Sequence, residues 1–189
     1  HYHSGEEGPQ ALAAIASSRG QKAAWRYADL IDTEDATACV QAAAEFLGGI
    51  DILVNNVGGI VGRKWLGEID RQFWQTVLDV NMTTMLNVTQ AALPWLKSAT
   101  DGASIINLAS LAGRSGGHAG SLAYSTTKGA ILTWTRSLAA ELGEHGVRVN
   151  AVAPGLILGT RFHNRHTTQA SADETIRQIP LKRAGTPDD

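Results

Sequence analysis

Segments that suit buried strands alternate with helical patterns along this chain of 189 residues. The strand segments are short, partly β-branched and bounded by Gly, Asn, Asp or Pro, and they cover residues 23–28, 50–54, 104–108 and 147–152. Helical patterns cover residues 10–18, 33–47, 71–97 and 123–142. Because strands that alternate with helices favour a parallel sheet covered on both faces, we predict a three-layer α/β fold with a doubly wound sheet.

The size and composition of the chain exclude several classes of protein. A hydrophobic content of 43% is enough for one core, so we predict a single domain over residues 1–189. The formal net charge is −2 and no Lys/Arg run could neutralise a series of phosphates, so nucleic acid is not expected as a partner. No apolar stretch approaches the roughly 18 residues of a membrane span, and no membrane partner is expected.

Cysteine and histidine usage bears on compartment and metal binding. Cys39 is the single cysteine, which excludes an internal disulfide and suits a reducing compartment, so we predict a cytoplasmic location. The spacing of His118, His145, His163 and His166 matches no zinc motif, and no metal is expected.

Tyr124 and Lys128 form an informative pair. They lie four positions apart near the start of a predicted helix, so their side chains share one face. A positive charge beside a phenol favours the phenolate and lowers the tyrosine pKa from its usual value of about 10. Tyr124 is therefore a candidate general acid or base. By itself the pair is a weak signal, because many helices carry such neighbours on their surface.

Other polar motifs accompany this pair in a definite order. The sequence Asn-Asn-Val-Gly at residues 55–58 follows one predicted strand, Ser110 follows the next, and Pro154 with Gly155 follows the last. Asn81 lies in the long helical pattern between them. Together these motifs resemble the short-chain dehydrogenase/reductase family, and the resemblance covers essentially the whole chain. It implies a Rossmann-like fold and an NAD(P)-dependent oxidoreductase that interconverts a ketone and a secondary alcohol.

The resemblance implies a role for each of four side chains. Tyr124 would be the general acid or base on the substrate oxygen, and Lys128 would lower its pKa and bind the nicotinamide ribose. Ser110 would hydrogen-bond the substrate oxygen, and Asn81 would hold a water that links Lys128 to solvent. Because hydride transfer creates or removes charge on oxygen, a proton donor and a second hydrogen bond must converge there.

Further residues match the family's coenzyme contacts. Asp29 and Leu30 match an acidic-then-apolar pair beside adenine, and Ile157 stands where a backbone N–H reaches the carboxamide. The set implied by the resemblance is Asp29, Leu30, Asn56, Val57, Gly58, Tyr124, Lys128, Pro154, Gly155, Ile157 and Thr160. One position departs from the family pattern, because Gly159 stands where a pyrophosphate-binding Thr is usual and Thr160 comes one residue later.

The choice of coenzyme is read at the end of the second strand of such a fold, where an acidic residue accepts the ribose 2′-hydroxyl of NAD. The residues at this place are His1, Tyr2, His3 and Ser4. None is acidic, so we expect NADP rather than NAD, although no arginine is present there to bind the 2′-phosphate.

Parts of the family pattern lie outside the 189 residues. The first strand with its glycine-rich turn would precede residue 1, and the last strand and helix would follow residue 189. The first strand is central in such a sheet, so its loss would leave two buried edges unpaired. We therefore expect an excerpt, incomplete at both ends and about 60 residues short of a usual single-domain chain.

Three expectations concern the surroundings of the site. The substrate would be a small carbonyl or alcohol compound, and the polar, loop-like segment 155–173 is a predicted lid. The resemblance further implies a homodimer or homotetramer in which helices 71–97 and 123–142 pair between subunits.

Two other functions are compatible with such a fold. A catalytically silent nucleotide-sensing or structural subunit is the main alternative, and it has no physical need for Ser110, Tyr124 and Lys128 together. A sugar-nucleotide epimerase would use the same Tyr/Lys pair, but it usually needs a larger substrate domain than the chain after Pro154 provides.

Overall fold

A three-stranded parallel sheet is the centre of the computed structural model, which describes residues 1–189 apart from the side chain of Arg161. The strands are β1 (Ile52–Asn55), β2 (Ala103–Leu108) and β3 (Val147–Val152), and β2 lies between the other two. Ile105 of β2 is aligned with Leu53 on one side and Val149 on the other. The three strand predictions in this part of the chain are confirmed.

The described residues form eight α-helices. These are α1 (Glu7–Ser18), α2 (Thr33–Leu47), α3 (Arg71–Leu78), α4 (Thr84–Ser98), α5 (Ala112–Ser115), α6 (Leu122–Leu142), α7 (Arg161–His166) and α8 (Gln169–Gln178). A π-helical turn, Asp79–Thr83, joins α3 to α4, so the helical pattern predicted over 71–97 is interrupted near its middle. Short 3-10 turns occupy Leu66–Glu68 and Gly143–His145.

The hydrophobic core lies between one face of the sheet and three helices. Its buried members are Val40 and Ala44 of α2, Ala92 and Leu96 of α4, Leu142 of α6, and Ala103, Ile105, Val147 and Val149 of the strands, with Ile50 before β1. On the opposite face, Ile52, Val54 and Val152 are 65%, 53% and 50% exposed. In β1 and β3 alternate residues therefore separate into a more buried row and an exposed row, as the two-residue period of a strand requires, whereas both rows of the central strand β2 are buried or half-buried.

The strand predicted over residues 23–28 was wrong in extent. Only an isolated parallel bridge between Tyr2 and Tyr27 forms there, with Tyr2 N donating to Arg26 O and Ala28 N donating to Tyr2 O. Tyr2 is the one described residue that pairs with this segment, so no ladder of consecutive strand pairs forms. Residues 21–27 are exposed.

The segment 155–173 is helical over much of its length, which corrects its description as a loop. Thr160 caps α7 by accepting from His163 N, and Thr168 caps α8 by accepting from Ser171 N. A threonine at a helix start accepts a hydrogen bond from an otherwise unpaired N–H. The two threonines therefore indicate helix starts in a segment whose polar composition suggested a loop.

Candidate active site

The predicted site residues gather where the parallel strands end. Residues 56–58 follow β1, Ser110 follows β2 by two residues, and Pro154 follows β3 by two residues. In an open α/β sheet the carboxyl ends of the strands border the ligand crevice. The backbone joins two of these ends directly, because Leu111 N donates to Pro154 O at 3.0 Å.

Helix α6 brings Tyr124 and Lys128 to this edge. Both are buried, with 9% and 4% of their surfaces exposed. The Lys128 Nζ atom donates to the backbone oxygen of Leu108 at 2.6 Å and lies 5.7 Å from the centre of the Tyr124 ring. The pair predicted from sequence is therefore an interior pair held against the end of β2, and not a surface pair.

The protonation behaviour of the pair differs from the sequence-based expectation. Burial raises the pKa of the Tyr124 phenol, and a hydrogen bond with the Ser110 hydroxyl only partly opposes this rise. Burial also lowers the pKa of Lys128 to about 8. Desolvation of the phenolate is the largest effect on the Tyr124 pKa, and the Lys128 N–H is directed to Leu108 O, so the predicted lowering of this pKa by Lys128 does not appear in this structure.

Ser110 is held by the turn that starts α5. Its Oγ atom accepts from Ala112 N at 3.1 Å. Gly113, which follows Ala112, packs against the backbone of α6. A Cβ atom on Gly113 would lie 2.5 Å from Lys128 C and 2.7 Å from Gly129 N. Gly113 therefore allows the close approach that brings Ser110 beside Tyr124, a role that the sequence reasoning missed.

Asn81 is fully buried in the π-helical turn. Its Nδ2 atom donates to Gly59 O and Val77 O, both at 2.9 Å, and its Oδ1 atom accepts from Gly59 N at 3.0 Å. The side-chain amide thus binds the loop after β1 to the helix, with both of its N–H groups already used. Its predicted role in holding a water stays a prediction.

Gly58 brings this loop close to Asn81 and Lys128. Its φ angle is 154°, and a Cβ atom would lie 2.8 Å from Asn81 Oδ1 and 3.2 Å from Lys128 Nζ. Asn56, Val57 and Gly58 are exposed at the end of β1, so backbone in this stretch is accessible to a ligand. The arrangement fits the close backbone approach that a coenzyme ribose requires.

The other predicted coenzyme contacts are divided between the site and the core. Asp29 is half-buried and its Oδ1 atom accepts from Ile31 N at 3.0 Å. Leu30 is 6% exposed and packs with Ala28, while its backbone oxygen accepts from Asn87 Nδ2 at 3.0 Å. Asp29 can therefore present its second carboxylate oxygen to a ligand, whereas the Leu30 side chain stabilises the core.

Beyond β3 a bridge between Ile157 and Gly185 joins the two ends of the segment that contains α7 and α8. The bridge is parallel, and Gly155 is exposed. The Thr160 hydroxyl donates to Ile157 O at 3.1 Å and accepts from His163 N at 3.3 Å. Both hydrogen bonds define the start of α7, so Thr160 has a structural role whether or not it also contacts pyrophosphate.

Two features of the site were not expected from the sequence. Phe162 of α7 lies with its ring centre 6.2 Å from that of Tyr124, which brings a side chain of segment 155–173 beside this tyrosine. A buried hydrogen-bond chain also crosses the sheet, in which Asn55 Nδ2 donates to Asn107 Oδ1 at 2.9 Å and Asn107 Nδ2 donates to Thr135 Oγ1 at 3.0 Å. The alternation of side chains within β2 places Asn107 on the core face, and this alternation could have predicted from the sequence that its amide is buried.

Two other kinds of feature are absent from the described side chains and helices. No three His, Cys, Asp or Glu side chains in this part of the structure converge in a way that could hold a metal ion. None of the described helices combines the length and the apolar character needed to cross a bilayer.

Known proteins resemble this chain along its length. The profile of the family described as "Enoyl-(Acyl carrier protein) reductase" matches residues 1–189. Nodulation protein G of Azospirillum brasilense is 40% identical over 166 residues, which are 85% of this chain and 63% of that protein. Short-chain reductase protein NovJ of Streptomyces niveus is 37% identical over 191 residues, which are 97% of this chain and 71% of that protein.

Solved structures agree with these matches. The NADH-dependent reductase A1-R′ responsible for alginate metabolism is 29% identical and superposes with a TM-score of 0.86, covering 98% of this chain and 72% of that one. A structure of the same reductase complexed with NAD superposes with a TM-score of 0.82 and covers 98% of this chain and 70% of that one. This chain therefore spans 63% to 72% of the length of these proteins. The matched profile, the similar proteins and the parallel sheet with its Tyr124–Lys128 pair show that the chain belongs to the short-chain dehydrogenase/reductase family, with its Rossmann-like α/β fold.

Proposed function

We propose that this protein is an NAD(P)-dependent oxidoreductase that interconverts a ketone and a secondary alcohol. The observation that carries the proposal is the buried pair of Tyr124 and Lys128, with the Ser110 side chain near enough to the phenol at the end of β2 to lower its pKa. Burying an ionisable pair is costly, and such groups cluster at functional sites. Membership of a family with named reductases and a structure complexed with NAD supports the same reaction.

In the direction of reduction, the substrate carbonyl oxygen accepts hydrogen bonds from the Ser110 and Tyr124 hydroxyls. Because the Tyr124 pKa is raised, the phenol holds its proton at neutral pH and is ready to give it to the oxygen as negative charge develops there. Lys128 then stabilises the phenolate, and the oxidation direction reverses these proton transfers. A nicotinamide coenzyme, when bound, supplies or accepts the hydride.

The residues near the strand ends fit such a coenzyme. The exposed backbone at Asn56, Val57 and Gly58 leaves room for a ribose, and Gly58 has no side chain to close that space. Lys128 would bind the nicotinamide ribose, Asp29 and Leu30 would lie beside adenine, and residues 154–160 would border the carboxamide and pyrophosphate. NADP is the proposed coenzyme, because residues 1–4 contain no carboxylate that would repel a 2′-phosphate. A lower KM for NADH than for NADPH would reject this preference.

The decisive experiment uses Tyr124→Phe, which removes one hydroxyl and keeps the ring. Turnover should fall at least about 100-fold while the coenzyme Kd stays unchanged, because proton transfer is lost and binding is not. Thr37→Val is the control, since it also removes one hydroxyl and Thr37 is exposed on α2, away from the site. Full turnover by Tyr124→Phe would reject the mechanism. A wild-type protein that binds coenzyme but converts no compound in a screen of ketones, sugars and acyl thioesters would favour the silent subunit.

Assembly and location belong to the same proposal. Helices α3, α4 and α6 would pair between subunits in a homodimer or homotetramer, and light scattering would detect a monomer if that is wrong. A cytoplasmic location is supported by Cys39, which is buried and free.

A further inference from the structure

A cavity of about 360 Å³ lies between the loop after β1 and helix α7. The loop contributes residues 58–61, and α7 contributes Phe162, Arg165 and His166. The Phe162 ring centre is 6.2 Å from that of Tyr124 and 5.3 Å from that of His166, so the cavity adjoins the catalytic tyrosine. A substrate whose carbonyl reaches Tyr124 would extend its other groups toward this space.

The charged side chains around the cavity are positive. Arg165 lines the wall, and Arg63 lies beside it, with Nη2 donating to His166 O at 3.4 Å and Nη1 donating to Ala119 O at 3.2 Å. Burial lowers the pKa of His166, and the charges of Arg165 and Arg63 lower it further, which places both guanidinium groups near that ring. Among the side chains that the structure describes, no Asp or Glu lines this cavity, and neither arginine forms a salt bridge.

A guanidinium group is selective for oxyanions. Its planar fork of N–H donors matches the two oxygens of a carboxylate or a phosphate, and an exposed arginine needs little reorganisation to bind one. Arg63 is already fixed by two backbone oxygens, while Arg165 is exposed and has no side-chain hydrogen bond among the described residues. Arg165 is therefore the group best able to bind an anion, with Arg63 adding to the local positive potential.

We infer that the substrate carries an oxyanion, of the carboxylate class, separated from its reacting carbonyl by a short carbon chain, and that Arg165 is the residue that selects for it. The inference rests on the proposed function and names the substrate class of that same site. Phe162 would pack against the carbon chain between the two groups. The coenzyme phosphates are a second source of the same oxyanion chemistry, and the experiment distinguishes them from the substrate.

The experiment compares two keto acids with their neutral methyl esters, which differ in charge and keep the same ketone. Acetoacetate and 4-oxopentanoate are assayed against methyl acetoacetate and methyl 4-oxopentanoate with the full-length protein. We expect kcat/KM to favour the acids by about tenfold or more, the effect of one charge-assisted hydrogen bond. Arg165→Gln should raise the KM of the acids until acids and esters have about equal kcat/KM. The kcat for the esters should not change. Arg19→Gln is the matched control, because Arg19 is exposed and lines neither this cavity nor the catalytic pair.

Two results would overturn the inference. Equal kcat/KM for acids and esters in the wild-type protein would do so while leaving the proposed reaction intact. An unchanged acid preference in Arg165→Gln would also overturn it. A rise in coenzyme KM in this variant, without a change in the acid preference, would show that Arg165 serves a coenzyme phosphate.

Binding gives a readout that does not depend on turnover. In calorimetric titrations with coenzyme present, 4-oxopentanoate should bind the wild-type protein more tightly than its methyl ester, and Arg165→Gln should abolish the difference. If binding shows this preference while no ketone is converted, the proposed reaction fails and the oxyanion site stands.

Discussion

The Nζ atom of Lys128 lies 2.6 Å from the backbone oxygen of Leu108, the last residue of β2. This hydrogen bond joins helix α6, which carries Tyr124 and Lys128, to the sheet edge where Ser110 follows two residues later. The lysine is satisfied there by a neutral carbonyl and not by a carboxylate, so no opposite charge compensates for its burial. Its pKa accordingly lies at about 8.

The first prediction concerns stability as a function of pH. The pKa of Lys128 is lower in the folded protein, at about 8, than the usual lysine value of 10.5, so the unfolded chain binds more protons between these two values. Stability that depends on Lys128 should therefore rise as the pH increases from about 8 to about 10.5, by a total on the order of 2–3 kcal/mol. Below pH 8 the cost of burying the charge is fully present.

Urea unfolding of the wild type and Lys128→Met at pH 7 and pH 10 measures this effect. The difference in free energy of unfolding, wild type minus variant, should become more favourable to the wild type at pH 10. Lys22→Met removes an exposed lysine and serves as control. A difference that stays constant with pH would show that Lys128 is not desolvated.

Replacement of Gly58 by Ala should weaken coenzyme binding. The added Cβ would lie 2.8 Å from Asn81 Oδ1 and 3.2 Å from Lys128 Nζ, so the loop or both side chains must move. We expect the coenzyme Kd to rise about tenfold, equivalent to about 1.4 kcal/mol, as measured by calorimetric titration. Gly59→Ala is a stringent control, because a Cβ there meets no atom within 4 Å. Equal affinities for the two variants would exclude a steric role for Gly58.

Gly113→Ala should destabilise the protein. A Cβ atom at this position would come within 2.5 Å of Lys128 C and 2.7 Å of Gly129 N, which are backbone atoms that cannot rotate away. Overpacking of this kind costs about 1–3 kcal/mol, and it should also reduce kcat by moving Ser110 away from Tyr124. Thermal unfolding and steady-state kinetics test the two effects. Gly143→Ala adds a methyl group in open space, and it should leave both unchanged.

The amide of Asn107 should be a main contributor to the stability of the sheet. Asn107 is fully buried and joins Asn55 to Thr135, so Asn107→Ala leaves two buried polar groups without this partner. We expect a loss of about 2–4 kcal/mol in denaturant unfolding. Asn150→Ala, at an exposed position of β3, should change stability by less than about 0.5 kcal/mol.

A double-mutant cycle with Thr135→Val separates this network from simple loss of packing. Because Asn107 Nδ2 donates to Thr135 Oγ1 at 3.0 Å, the two substitutions should be non-additive by at least about 0.5 kcal/mol. Additive effects would show that the two side chains contribute independently.

The sequence by itself determined the fold class and the order of the site. Local periodicity specified β1, β2 and β3, and the predicted bounds of α2 agree with local caps, because Asp32 accepts from Asp35 N and Gly48 adopts a φ of 83°. Motif order then identified Tyr124, Lys128, Ser110 and Asn81. These features depend on residues that are neighbours along the chain, or on an order that any folded form must keep.

Only the tertiary structure decided which of these groups are buried and what each one contacts. Desolvation raises the Tyr124 pKa and lowers that of Lys128, and it depends on packing that no local pattern records. The contact of Gly113 with α6 and the position of Phe162 over Tyr124 join segments that are distant in sequence. The segment 23–28 shows the same limit, because a strand exists only where a partner supplies its hydrogen bonds, whatever its own residues favour.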